Sequence, residues 1–296
     1  MIRKIQSHFY KKQSFKKVLN AAIKNDGVIN IHRYDINNVG DLYCAPHQYF
    51  KELKGAYSDI FLYKRIDKES REKHYGDLTK NALIIGGGGL LNRGSFTKQM
   101  QAYEQLAAQG KKTVLWGVGH NEKNPSRYGK VFDYNINVNK FGLVGTRDYN
   151  APGEWLPCVS CLHELFDKSF KVEQELGIIF HKNTVKKPQI TTQFKEFPTT
   201  SNTTNLKELI EFIGRSEHIV TDSYHAMYWS MLLGKKVAVV PNSSKFFDFK
   251  YQPVITTFND ALKDVQKART YPGLIEECRE LNRNFAKRAF EYLELA

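Results

Sequence analysis

His225 stands in the run Thr221-Asp222-Ser223-Tyr224-His225-Ala226, where a short apolar strand gives way to an apolar helix. An imidazole there lies near unpaired backbone N–H groups and the positive end of the helix dipole. It can exchange a proton near neutrality or, as an imidazolium, stabilise an anion. Thr221, Asp222 and Ser223 could orient a ligand, and they would equally serve as partners of a purely structural histidine. Ser223 is not in a G-x-S-x-G turn, so nothing marks it as a covalent nucleophile.

A second chemical feature is the run of four glycines from Gly86 to Gly89, between Ala82-Leu83-Ile84-Ile85 and Leu90-Leu91-Asn92. The pattern predicts a buried strand running into a turn without side chains, where backbone amides can approach a phosphate or carboxylate. A crowded crossing of two segments would use the same residues. Neither G-x-G-x-x-G nor G-x-x-x-x-G-K-[ST] occurs, which excludes the dinucleotide and P-loop fingerprints. Comparable strand ends recur at Trp116-Gly117-Val118-Gly119-His120 and at Gly145-Thr146-Arg147-Asp148.

The elements that must position these residues alternate between short apolar strands and helices. Strands are expected at 27–32, 58–63, 82–85, 112–116 and 142–146, with helices at 46–53 and 97–108. A second unit begins near residue 170, with strands at 176–180, 189–197, 218–220 and 237–240. Its helices are expected at 205–214, 224–233 and about 258–296, and 149–157 reads as a linker. The alternation predicts an α/β protein of two Rossmann-like domains, 1–157 and 158–296, facing a central cleft.

Composition narrows the function. The chain of 296 residues is 41% hydrophobic and 25% charged, as expected of a soluble globular protein. It has no apolar run of membrane-spanning length and no secretory pattern at Met1-Ile2-Arg3-Lys4-Ile5, so a cytoplasmic location is expected. Four cysteines are too few and scattered for a disulfide framework. Cys158-x-x-Cys161 lacks the context of a redox or zinc motif and reads as buried free thiols. No D-x-D or other dense carboxylate cluster stands in a strand-end loop to suggest a metal requirement.

The net charge is +13, and residues 1–24 carry seven of the basic side chains with no acid. Such a helix could touch an anionic membrane surface or simply pack on its own domain. No zinc finger, RNA-binding signature or basic-aromatic repeat points to nucleic acid. A cleft for anionic substrates explains the charge equally well.

Several ordered pieces together carry a resemblance: Asn38-x-Gly40-Asp41, Leu83 to Leu90, Trp116-Gly117-Val118-Gly119, Gly145-Thr146-Arg147-Asp148 and Thr221-x-Ser223-Tyr224-His225. Between about residues 28 and 242 the chain resembles the polysaccharide pyruvyl transferase family. The resemblance implies a GT-B-like fold and transfer of the enolpyruvyl unit of phosphoenolpyruvate to a sugar of a cell-surface glycan, forming a pyruvate ketal. It implies catalytic roles for His225 as proton donor or phosphate stabiliser, Arg147 as anion clamp and Asp41 as base or acceptor contact.

It further implies substrate contacts from Asn38, Gly40, Gly87, Gly88, Gly89, His120, Ser223 and Tyr224. His32 or Arg33 would reach the cleft, while Lys245 with Phe246, Phe247 and Phe249 would line an acceptor site. The expected partners are phosphoenolpyruvate and a glycan or glycolipid, with no cofactor. Two alternatives stand beside it: a GT-B-like glycosyltransferase using a nucleotide sugar, and a non-catalytic glycan-binding protein. The loop Tyr149-Asn150-Ala151-Pro152-Gly153 and the Pro157-Cys158 pair depart from the family pattern.

Overall fold

A computed structural model describes residues 2–65 and 67–295, with side chains in the first helix described at 9, 10 and from 13 onward. Strands β1 (Val28–His32), β2 (Tyr57–Asp59), β3 (Ala82–Leu91), β4 (Thr113–His120), β5 (Leu143–Thr146) and β6 (Glu154–Trp155) form a parallel sheet. Their order is β2-β1-β3-β4-β5-β6. A second parallel sheet holds β7 (Gln174–Phe180), β8 (Thr199–Ser201), β9 (Ser216–Thr221), β10 (Lys236–Val239) and β11 (Val254–Ile255), in the order β11-β10-β9-β7-β8. This is an α/β architecture of two sheets, consistent with two Rossmann-like units.

The strands form where they do because their runs are apolar on both faces. Leu83, Ile84, Ile85, Val114, Leu115 and Trp116 are all buried, as parallel strands covered by helices require. In helix Leu206–Arg215, Leu206, Leu209, Ile210 and Ile213 face the core, and the Asn205 side chain caps its start by accepting from Glu208 N at 2.9 Å. Helix Tyr224–Leu232 is buried along its whole length, so it carries no amphipathic stripe and sits as a central element.

Several expectations are corrected. The four glycines lie inside β3, which continues to Leu91, rather than in a turn. Gly87 N donates to Cys44 O at 3.0 Å, and a Cβ at Gly86 or Gly87 would collide with the carbonyl of Trp116 or Cys44. Close approach of neighbouring backbone therefore explains the missing side chains. The expected strand at 189–197 is instead a helical turn, Pro188–Thr191, followed by a 3-10 turn, Thr192–Phe194. Pro188 supplies the fixed φ and missing donor that suit a first helical position. The expected helix at 46–53 is two 3-10 turns, Pro46–Gln48 and Lys51–Leu53.

The segment read as a linker contributes β6 to the first sheet. Helix Lys68–Lys80 was hidden by its polar sequence and is announced only by Asp67, whose side chain accepts from Ser70 N at 2.8 Å. The C-terminal stretch read as helical, about 258–296, is helical over most of its length. A helical turn, Ala261–Asp264, and a 3-10 turn, Val265–Lys267, precede helix Leu274–Leu293, whose far half packs on the first sheet through Phe285, Ala286, Ala289 and Leu293.

The basic first helix, Ile2–Leu19, rests on its own domain through buried Val18, a Phe15–Tyr63 ring contact and a 2.8 Å Lys17–Glu72 ion pair. Met1 and the side chains at 2–8, 11 and 12 of the proposed membrane-facing stretch lie outside the described residues. Among the described residues, no helix is long and apolar enough to cross a membrane.

Candidate functional site

The carboxyl ends of both sheets open onto one cavity of about 310 Å³. In open parallel sheets that end is where loops leave the strands and ligands bind. Arg33 follows β1, Arg93 follows β3, Asn121 and Lys123 follow β4, and Arg147 follows β5. From the second sheet come His181 and Lys182 after β7, Asn202 after β8, Ser223 after β9 and Lys245 beyond β10. The short helix Val39–Leu42 crosses between the sheets: Val39 N donates to Asn202 O at 3.0 Å, and Asn202 Nδ2 donates to Asn38 Oδ1 at 3.0 Å.

The electrostatics are one-sided. Six cationic side chains (Arg33, Arg93, Lys123, Arg147, Lys182 and Lys245) line the cavity against two carboxylates, Asp35 and Asp41. Lys182 pairs with Asp35 at 2.6 Å, and Arg33 with Asp59 at 2.8 Å. Among the described residues no carboxylate pairs with Arg93, Lys123, Arg147 or Lys245 within 4.0 Å. Uncompensated cations converging on a partly enclosed space make an anion site.

Arg147 is 2% exposed, with its guanidinium carbon 4.0 Å over the Tyr224 ring and Nη2 donating to His120 O at 3.4 Å. Its Nε has no hydrogen-bond partner among the described residues. Stacked and under-bonded, the guanidinium is held ready for an oxyanion. His225 is 6% exposed, and Cys158 Sγ lies 3.6 Å from its Nε2. Burial, then Arg147 and Lys245, push its pKa well below the ordinary imidazole value, so the ring is neutral in the free protein.

Asp41 accepts from Asn38 Nδ2 at 2.8 Å. Burial, with Asp35 adding to it, raises its pKa to about 6. Lys245 is lowered to about 7, by burial first and then by Lys123 and Arg147. His181 is lowered to about 3, by burial first and then by Lys245, Lys123 and Lys182. Asp41 and Lys245 therefore titrate close to neutrality.

The structure brings His225, Arg147, Asp41, Asn38, Gly89, Ser223, Tyr224 and Lys245 to the one cavity, together with Arg33. Four expected contacts are absent from its lining. Gly87 and Gly88 are held in β3 beside Cys44. Gly40 packs beneath His225, where a Cβ would overlap the ring. His120 is 1% exposed and bonds Ser244 Oγ through Nδ1 at 2.6 Å instead of facing the cavity.

His32 is likewise buried, with a pKa near 3 from burial first and His47 second. Phe246 and Phe249 belong to the core of the second unit, so only Lys245 of that group reaches the site. Sequence reasoning missed Arg93, Lys123, His181, Lys182 and Asn202. Each lies one to three residues beyond a strand end, the signal that could have found them.

No protein-family model matches the chain, and a search of curated proteins returns no match.

Proposed function

We propose that the chain is a pyruvyl transferase of the polysaccharide type, taking the enolpyruvyl unit from phosphoenolpyruvate and forming a ketal on a glycan sugar. The observation that carries this reading is the cavity in which six cations outnumber two carboxylates while Arg147, His225 and Asp41 share one wall space. Two parallel sheets presenting their carboxyl ends to one cleft support a GT-B-like arrangement. The donor carries a carboxylate and a phosphate on three carbons, and a compact cationic cavity suits so dense a charge.

In this reading Arg147 clamps an oxyanion and His225 donates an N–H to phosphate. Arrival of that anion raises the affinity of His225 for a proton, since an opposite charge favours the cationic ring. Protonation of the methylene carbon gives a methyl group and leaves C2 electrophilic. Lys245, cationic below about pH 7, supplies that proton or steadies the phosphate.

One sugar hydroxyl attacks C2. The C2–O bond to phosphate then breaks, and a second hydroxyl closes the ketal. Of the two hydroxyl protons lost, one replaces the proton delivered to carbon and one leaves with inorganic phosphate. Asp41, ionised above about pH 6, accepts from the attacking hydroxyl.

The acceptor approaches from an adjoining cavity of about 600 Å³, which shares Arg33 and Asp35 with the first. Tyr34 and Tyr57 stack there at 5.7 Å and are partly exposed, giving a flat platform for the C–H face of a sugar ring. The deciding experiment measures phosphate release from phosphoenolpyruvate with candidate glycan acceptors. Acceptor-dependent release, abolished by His225→Ala and Arg147→Ala in folded protein, is the expected result. Thermal protection by UDP, GDP or CMP, but not by phosphoenolpyruvate, would overturn it in favour of a nucleotide-sugar enzyme.

A further inference from the structure

Behind the cavity wall, His120 at the end of β4, Asp148 just past β5 and Asp248 from the second unit converge, all buried. His120 Nε2 lies 3.8 Å from Asp148 Oδ1 and 3.8 Å from Asp248 Oδ2. We propose that these three atoms bind a divalent first-row transition ion, with zinc as the reference case. One ligand atom from each of the three residues lies within 4.8 Å of the other two, so an ion at their centre would sit about 2–2.5 Å from each, close to the range of Zn–N and Zn–O bonds.

The surrounding hydrogen bonds leave these three atoms facing one another. Asp148 Oδ2 accepts from His120 N at 2.6 Å and from Tyr134 Oη at 3.1 Å. Asp248 Oδ1 accepts from Asn150 N at 3.0 Å and Asn150 Nδ2 at 2.7 Å. The opposite oxygen of each carboxylate is thereby turned toward the imidazole. Ser244 Oγ, which accepts from Glu122 N at 2.9 Å, lies 2.6 Å from His120 Nδ1.

The tautomer protonated on Nδ1 donates to that hydroxyl and leaves Nε2 a bare lone pair aimed at two carboxylates. Neither Nε2 nor Asp248 Oδ2 has a hydrogen-bond partner among the described residues. Fixing one ring nitrogen so that the other faces a cation is the usual outer-shell arrangement of metal-bound histidine. Two carboxylates and a neutral imidazole balance a doubly charged ion, and a water completes four-coordination. The site is independent of the transferase reading, since none of the three residues lines the anion cavity.

The test strips the whole protein with a chelator, reloads it with Co²⁺ or Zn²⁺, and reads metal per chain and the cobalt visible spectrum. About one ion per chain, a cobalt band of low-coordinate N/O type, and at least a hundredfold weaker binding in Asp248→Asn with unchanged circular dichroism are expected. Equal uptake by wild type and Asp248→Asn would overturn the site. So would an aquo-ion cobalt spectrum in wild type, a readout that stands even if the variant fails to fold. No uptake at all would mean that the imidazole is merely hydrogen-bonded between the carboxylates, and would overturn it equally.

Discussion

Two side chains that titrate close together across one small cavity give it a narrow working range. Asp41 must lose its proton, above about pH 6, to act as a base, and Lys245 must keep its own, below about pH 7, to act as a cation. The expected kcat/KM profile is a bell with limbs near those values. Asp41→Asn should remove the acidic limb and most of the activity. Lys245→Arg should hold its charge and move the alkaline limb upward. A flat profile from pH 5.5 to 8.5 in wild type would contradict both assignments. Gly40 serves the same site from beneath, because any Cβ there overlaps the His225 ring. Gly40→Ala should displace the imidazole, cost roughly 1–3 kcal/mol of stability and lower turnover at least tenfold. Urea unfolding and steady-state kinetics on the same preparation check the two effects.

At the level of elements, the glycines of β3 divide by position. Gly87 touches the Cys44 carbonyl, so Gly87→Ala should weaken the fold, by about 1–3 kcal/mol for a forced backbone shift, with ligand affinity little changed in the folded fraction. Gly89 faces the cavity beside Asn121 and Arg147, so Gly89→Ala should weaken anion binding more than it weakens folding. Calorimetric titration with phosphoenolpyruvate beside thermal melts separates the two, and matching effects would refute the division.

The same strand shows what the sequence revealed and what it hid. Apolar runs at Leu83–Ile85 and Val114–Trp116 announced parallel strands because both faces are buried. His225 was legible from its place where a strand gives way to a helix, whereas Arg147 and Asp41 were singled out through the family resemblance and reach the same cavity. Gly87 and Gly88 were misplaced because close packing and anion binding both call for glycine, and one sequence does not distinguish them. Lys182 and Asn202 stayed hidden because they sit past strands of the second sheet whose loops carry no motif. Their partners, Asp35 and Asn38, are far away in sequence.

Across the whole molecule, helix Leu274–Leu293 packs into the cores of both units. Leu274 and Cys278 belong to the core that surrounds helix Tyr224–Leu232. One side of the far half packs Phe285, Ala286 and Ala289 against Ala82, Ile84, Val114 and Trp116 of the first sheet. Asn282 sits between, accepting from Trp116 Nε1 at 3.0 Å and donating to Pro157 O at 3.1 Å. An element that is core to both units couples their unfolding.

Urea or heat should therefore give one transition, whether followed through Trp116 in β4 of the first sheet or Trp229 in helix Tyr224–Leu232 of the second unit, each probed by removing the other two of the three tryptophans. Phe285→Ala deletes a buried ring that contacts Trp116 with centroids 4.9 Å apart and should cost about 3–5 kcal/mol. Because the helix is shared, that loss should lower the midpoint seen by Trp229 as well as the one seen by Trp116. If Trp229 reports an unchanged midpoint, the sheets fold independently, and the anion cavity between them depends on ligand rather than on this helix to stay formed.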